Sequence, residues 1–177
     1  MKDFMDLCLR RQSCRDFAAT PVEHEKLLYC VEAARLTPSG CNSQPWSFVV
    51  AESSETVQAV REAVHFLGSN EYIKSATAFI AVVEEHAKLM PKMRSLVNSQ
   101  YFAAGDLGAA TVTICYAAED QGLGTCILGL FDRDAVKEIM GIPAEKSLGC
   151  LIAVGYPAND KVRTKARKSV EEIARFV

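Results

Sequence analysis

The 177-residue sequence is short of several features at once. No apolar run approaches the ~18 residues that cross a membrane as a helix. The opening MKDFMDLCLRRQS lacks the hydrophobic stretch of a secretory signal, so the expected location is the cytoplasm. No Gly-x-Gly-x-x-Gly motif follows a strand-like run and no phosphate-binding P-loop motif occurs, which leaves neither a dinucleotide fold of that type nor a P-loop enzyme supported. Histidine is scarce: His24, His65 and His86 stand in no Ser/His/Asp or HExxH pattern, and all three are expected at the surface rather than as catalytic bases. The seven cysteines (Cys8, Cys14, Cys30, Cys41, Cys115, Cys126 and Cys150) are odd in number and form no CxxC pair. That excludes a disulfide scaffold and argues against a zinc or iron–sulfur site. Cys115, Cys126 and Cys150 lie in apolar runs and read as small core residues, which leaves Cys14 and Cys41 for any redox or ligand role. Twenty Lys+Arg against 22 Asp+Glu give a net charge of -2, so the surface as a whole is no nucleic-acid magnet.

What is present is a globular composition, 49% hydrophobic and 24% charged, without repeats or a linker, and it reads as one domain over residues 1–177. A short helix is expected over 3–11. Thr20-Pro21-Val22-Glu23 has the pattern of an N-cap, Pro at the first helical position and Glu two residues later, so a helix is expected from Thr20 to the stop at Pro38-Ser39-Gly40. WSFVVAE (46–52) reads as a strand and 53–66 as a helix with Val57, Val60 and Val64 on one side. TAFIAVVEE (77–85) is continuously apolar, as in a strand covered on both faces. A long Ala-rich helix runs from about 96 to 121, apolar nearly all round and so expected to lie buried, and ends at Gly122. TCILG, a helix capped by Asp132, and LGCLIAVGYP (148–157) follow. The order implies an α+β or mixed α/β sandwich with a long central helix. Ser169-x-x-Glu172 opens a terminal helix with a capping box.

Three segments could carry chemistry. In RRQSCRDF (10–17), Arg11, Ser13 and Arg15 fall on one side of an extended chain, where guanidinium forks suit phosphate oxygens; the alternative is a solvated charge run at a helix end. PSGCNSQPW (38–46) is a loop whose Asn42 and Gln44 amides suit a ring edge of alternating carbonyls and nitrogens, or else an ordinary turn beside a core Trp46. In KVRTKARK (161–168), Lys161, Arg163, Lys165 and Arg167 alternate along the chain; they could neutralise a phosphate, follow a nucleic-acid backbone, or form a disordered basic tail. No stacking aromatics lie nearby for the nucleic-acid version.

Taken with GLGTCILGLFD (122–132) and GYPANDKVRTKARKSVEEIARF (155–176), these segments in this order resemble the nitroreductase family of FMN-dependent NAD(P)H oxidoreductases over essentially the whole chain. The resemblance implies a three-layer α+β sandwich with a central mixed or antiparallel sheet, and a homodimer holding FMN at its interface with the arm 158–177 exchanged between subunits. Arg11, Ser13 and Arg15 resemble the residues that hold the FMN phosphate, ribityl chain and pyrimidine edge. Gln12 contributes mainly backbone. Lys165 and Arg167 complete the phosphate site. Pro38, Ser39, Gly40, Asn42 and Gln44 resemble the partner's loop over the ring system. Gly129-Leu130 stands where longer relatives carry Glu-Gly near flavin N5, and Asn70 stands for their flavin-contacting Asn. The implied reaction is a ping-pong transfer of hydride from NADH or NADPH through N5 to nitroaromatics, quinones or similar small molecules, with no protein acid or base and no metal. Leu89, Met90, Met93 and Phe102 form either a substrate wall or core filler. The alternatives are a dehalogenase-like reaction on the same scaffold, for which the chain looks too short to supply a lid, and a non-enzymatic module whose basic tail binds nucleic acid or an acidic partner.

Overall fold

The computed structural model of the chain describes residues 3–65, 68–88, 90, 92 and 99–177. Its elements run α1 (Phe4–Arg10), α2 (His24–Arg35), β1 (Trp46–Ala51), α3 (Ser54–Val64), β2 (Ala78–Glu84), α4 (Ser99–Asp120), β3 (Gly124–Leu128), α5 (Arg133–Ile139), β4 (Ser147–Gly155) and α6 (Val170–Ile173). The strands form one antiparallel sheet in the order β1-β2-β4-β3.

β2 and β4 are central because both of their faces are apolar. Phe79, Ala81, Val83, Leu151 and Ala153 point to one side, where Val57, Val60 and Val64 of α3 and Val136 of α5 cover them. Ala78, Ile80, Val82, Ile152 and Val154 point to the other, against Leu27 and Ala34 of α2 and Ile114 and Ala118 of α4. The period-two alternation of strands thus feeds two cores, giving three layers. Each large side chain buried here is worth on the order of 1.5–3 kcal/mol.

The helix starts follow local chemistry. Ser53 accepts from the Thr56 amide, Asp132 from Ala135, and Ser169 with Glu172 completes a reciprocal capping box. Gly122, at φ +75°, ends α4: the Leu123 amide returns to the Ala118 carbonyl at 2.8 Å.

Two expectations are corrected. α2 begins at His24 with Glu23 as its cap, not at Thr20. Val22 is buried in the core, which holds the preceding chain extended, while the Glu23 carboxylate accepts from the Tyr156 hydroxyl at 2.6 Å. α4 is not covered all round, since Tyr101 is 80% exposed and Phe102 and Val112 are also open, an apolar side facing outward from the single chain. Cys115, Cys126 and Cys150 are buried as expected, and all seven cysteines are free.

The segment between α1 and α2 joins the sheet at its β3 edge. Ser13 bridges Thr125 in parallel and Phe17 bridges Pro157. The Cys14 amide donates to the Thr125 carbonyl and the Ala18 amide to Tyr156, both at 2.8 Å. The approach is close: a Cβ on Gly124 would lie 2.7 Å from the Cys14 Cβ and 3.3 Å from Pro157.

At the opposite end of the sheet, the Glu85 carboxylate accepts from Ser47 at 2.8 Å and from the Lys146 ammonium. These donors hold the Glu85 carboxyl below its ordinary value, so the stability it contributes is present above about pH 4.5 and is lost as pH falls through the depressed value. Lys146→Met is expected to lower the urea midpoint at pH 7 by no more than about 1 kcal/mol equivalent, and to match wild type in acid, where Glu85 is protonated in both proteins. Denaturation series at the two pH values check this.

Candidate functional site

Two distant stretches of sequence meet along the β3 edge. The arm after β4 lies on residues 11–13, with the Lys165 ammonium donating to the Arg11 carbonyl and the Arg163 guanidinium to the Ser13 carbonyl, both at 2.6 Å. The Gln12 side chain works from both ends: its Nε2 donates to the Lys161 carbonyl at 2.8 Å, and its Oε1 accepts from the Arg163 amide and Nε at 3.1 and 3.0 Å. Gln12 therefore acts through its side chain, not mainly its backbone, as the strap that registers the arm.

The result is a cleft of about 300 Å³ lined by Arg11, Ser13, Arg15, Arg163, Lys165 and Arg167, with Gln12 beside them. Arg11 Nε is buried without a partner among the described residues, while its NH2 group meets the Cys115 sulfur at 3.2 Å. Burial, and then the charges of Arg167, Arg11 and Arg163, push the Lys165 ammonium below its ordinary value. A partly desolvated cluster of cations with an unspent guanidinium N–H fits a phosphate dianion, which accepts several charge-assisted bonds at once. The alternating row of the arm is split: Lys161 faces a neighbouring cleft of about 440 Å³ on the other side of the 12–15 segment, and Arg163 borders both. Arg163 belongs to the basic row, yet nothing in the sequence marks it for the phosphate; its link to Ser13 depends on long-range contact that no local pattern announces.

Arg15 leads from this cleft to the next, its guanidinium carbon standing 5.4 Å from the centre of the Tyr72 ring. Tyr72, Asn70, Gly129 and Leu130 line a third cleft of about 480 Å³. Asn70, left-handed at φ 59° and 8% exposed, does not offer its amide to this space: both of its N–H groups are spent, on Leu130 O at 2.7 Å and Val64 O at 2.9 Å. It is a strut behind the Gly129-Leu130 turn rather than a donor to a ligand.

Among the described residues, the loop from Pro38 to Gln44 shares no cleft with these groups in the single chain. It is tightly shaped, with Cys41, Asn42 and Gln44 at φ 54°, 51° and 47°, a conformation that non-glycine residues rarely hold without outside constraint. The Gln44 amide donates to Ser39 Oγ at 2.9 Å and the Gln44 side chain to the Asn42 carbonyl at 3.1 Å. The anchor is Asp106 of α4, whose two carboxylate oxygens accept from the Gly40 amide at 3.2 and 3.1 Å. Sequence reasoning missed Asp106, although a carboxylate in the middle of an Ala-rich apolar helix, well before Glu119 and Asp120 at its end, was a readable signal. Cys14 is partly buried, its thiol raised by that burial and so a poor nucleophile. Of the candidate substrate wall, Leu89 and Met93 lie outside the described residues, while Met90 and Phe102 are exposed.

An antiparallel sheet between two helical layers, edged by a cationic cleft built from both ends of the chain, defines an α+β sandwich. The chain belongs to the nitroreductase family, whose family model matches residues 9–156. It is 28% identical over 199 residues to an oxygen-insensitive NADPH nitroreductase of Helicobacter pylori, covering 92% of this chain and 91% of that protein. It is 26% identical over 183 residues to an iodotyrosine deiodinase of Thermotoga neapolitana, covering 91% and 92%. A nitroreductase-type structure from Exiguobacterium sibiricum, solved in complex with FMN, superposes with a TM-score of 0.83 at 22% identity over 100% of this chain and 98% of that one.

Asp106→Ala leaves the Gly40 amide unpaired and is expected to cost about 1–3 kcal/mol and to speed amide exchange in residues 40–44. Asp106→Asn, which keeps an acceptor, retains most of both. Urea titration with hydrogen exchange checks the pair.

Proposed function

We propose that this protein is an FMN-dependent oxidoreductase that uses NADH or NADPH to reduce nitroaromatics, quinones or similar small acceptors. The observation that carries the reading is the unspent Arg11 Nε within a cluster of Arg11, Arg163, Lys165 and Arg167 on a cleft of about 300 Å³. Its size suits a phosphomonoester rather than a nucleic-acid strand. Family membership and the NADPH nitroreductase relative support the choice of cofactor and reductant.

In this reading Arg11, Arg163, Lys165 and Arg167 hold the FMN phosphate, and Ser13 and Arg15 meet the ribityl chain and pyrimidine edge. When bound, FMN supplies the redox chemistry, taking up hydride from the nicotinamide and passing electrons to the acceptor. The chain's own work is electrostatic and positional. Arg15 favours negative charge developing at the pyrimidine edge, and a fixed dipole or cation of this kind acts without reorganisation cost. The Gly129-Leu130 turn is clamped through both of its carbonyls, Gly129 O by Arg133 at 3.1 Å and Leu130 O by Asn70, so its backbone is held in place at the cleft wall. One open site serving reductant and oxidant in turn yields ping-pong kinetics.

The Pro38–Gln44 loop reaches the flavin ring from a second copy of the chain. The outward apolar side of α4, Phe4, Met5 and Leu9 exposed on α1, and Ile173 and Phe176 exposed near the end of the arm support a homodimer in which the last part of the arm crosses to the partner, while residues 161–165 stay on residues 11–13 of their own chain. The small-molecule substrate enters between the two copies.

Freshly purified protein is expected to be yellow and to bleach when NADH or NADPH is added without oxygen; colourless protein that takes up no FMN overturns the reading. Arg11→Ala with Arg167→Ala is expected to weaken FMN binding more than tenfold with little change in melting temperature. Neither side chain straps the arm: Arg167 donates to the neighbouring Ala166 carbonyl, and Arg11 to Cys115. Unchanged affinity excludes the phosphate assignment. Light scattering is expected to give twice the chain mass, and Tyr101→Asp to shift the protein toward monomer with loss of flavin; a wild-type monomer that retains FMN refutes the interface.

A further inference from the structure

Tyr72 links Arg15, the last of the cations, to Asn70, which holds the Gly129-Leu130 turn. Its ring carries the Arg15 guanidinium on one face at 5.4 Å. Its hydroxyl donates to Asn70 Oδ1 at 3.1 Å, and this bond selects which end of the Asn70 amide faces inward. With the oxygen taken by Tyr72, the nitrogen must face Leu130 O and Val64 O, where it donates at 2.7 and 2.9 Å. Leu130 itself is 59% exposed, so its side chain does little to hold the turn, and the Asn70 amide holds its carbonyl as Arg133 holds that of Gly129.

We propose that Tyr72 is a positioning residue that fixes the Arg15 charge and the Gly129-Leu130 backbone relative to one another, and thereby sets the reduction potential of the FMN bound beside them. The inference rests on the function proposed above. A cation held beside a redox group raises that group's potential, and a cation free to swing into water is screened and loses the effect. A long, exposed arginine has many rotamers, and an aromatic face removes most of them. On the other side of the ring, loss of the hydroxyl leaves the buried Asn70 carbonyl unpaired and removes the constraint that aims its amide at Leu130. The Asn70 tie lies outside the phosphate cleft, and Arg15 borders that cleft without being assigned to the phosphate, so Tyr72 acts on the electronics of the bound group more than on its retention.

The test compares FMN-loaded wild type, Tyr72→Phe and Tyr72→Leu, using dye-equilibrated reduction potentials, FMN affinity by fluorescence titration, and amide exchange of residues 127–131 in the apoprotein. Tyr72→Phe keeps the ring under Arg15 and loses the bond to Asn70. It is expected to hold FMN within threefold of wild type, to speed exchange at Leu130 and Phe131 severalfold, and to lower the potential modestly. Tyr72→Leu loses both ties and is expected to lower the potential by at least a tenfold change in the ratio of affinities for the two oxidation states, about 30 mV for a two-electron couple, while FMN affinity stays within tenfold. A fold defect alone would weaken binding without moving the potential in this graded order. If wild type holds FMN and both variants keep its potential, the assignment of Tyr72 is overturned while the oxidoreductase reading stands. Wild type that takes up no FMN overturns both.

Discussion

The site depends on like charges being held together. Arg11, Arg15, Arg163, Lys165 and Arg167 come from stretches some 150 residues apart and line one small cleft. Two unit charges ~6 Å apart at an effective permittivity of 20 repel by roughly 3 kcal/mol. The chain offsets this with hydrogen bonds from the cations to its own backbone, Lys165 to Arg11 and Arg163 to Ser13, and with the two-ended strap of Gln12. Burial first, and then these neighbouring charges, weaken the hold of Lys165 on its proton. In the proposed function, a phosphate dianion among these cations would add attractions that outweigh their mutual repulsion.

From that fixed point the remaining groups follow the sheet edge. Residues 13–15 dock on β3, Arg15 meets Tyr72, Tyr72 orients Asn70, and Asn70 steadies the turn that leaves β3. The other functional loop belongs to a separate structural unit: Asp106 ties it to the long helix, and its strained residues shape it before any ligand arrives. In the proposed homodimer this loop would meet the cationic edge of the second copy rather than that of its own chain.

Much of the architecture was legible in the sequence because burial writes periodicity. The continuous apolar runs of β2 and β4 announced strands covered on both faces, and the caps at Ser53, Asp132 and Ser169 were visible as local patterns. Local pattern failed where tertiary contact overrode it. The signal at Thr20-Pro21 lost to the burial of Val22, and the apolar circumference of α4 read as complete burial although Tyr101, Phe102 and Val112 are exposed on one side. The cationic cleft was legible as composition, since arginines and lysines cluster at both ends of the chain. Its construction was not, because the pairing of residues 11–13 with 161–165 and of Ser13 with Thr125 is set by fold topology rather than spacing. Asn70 stands in the expected neighbourhood but serves a different purpose there, because a buried amide surrounded by carbonyls spends its hydrogens on them.

Position 124 shows how little matter can set the geometry of such a place. Cys14, lodged between Ser13 and Arg15, and Pro157, where the chain departs toward its basic arm, both press against the bare Cα of this glycine. A single methyl group there would act as a wedge between the first and last portions of the polypeptide. The spacing between the two ends of the chain along this sheet edge therefore rests on the thinness of one uncharged backbone unit.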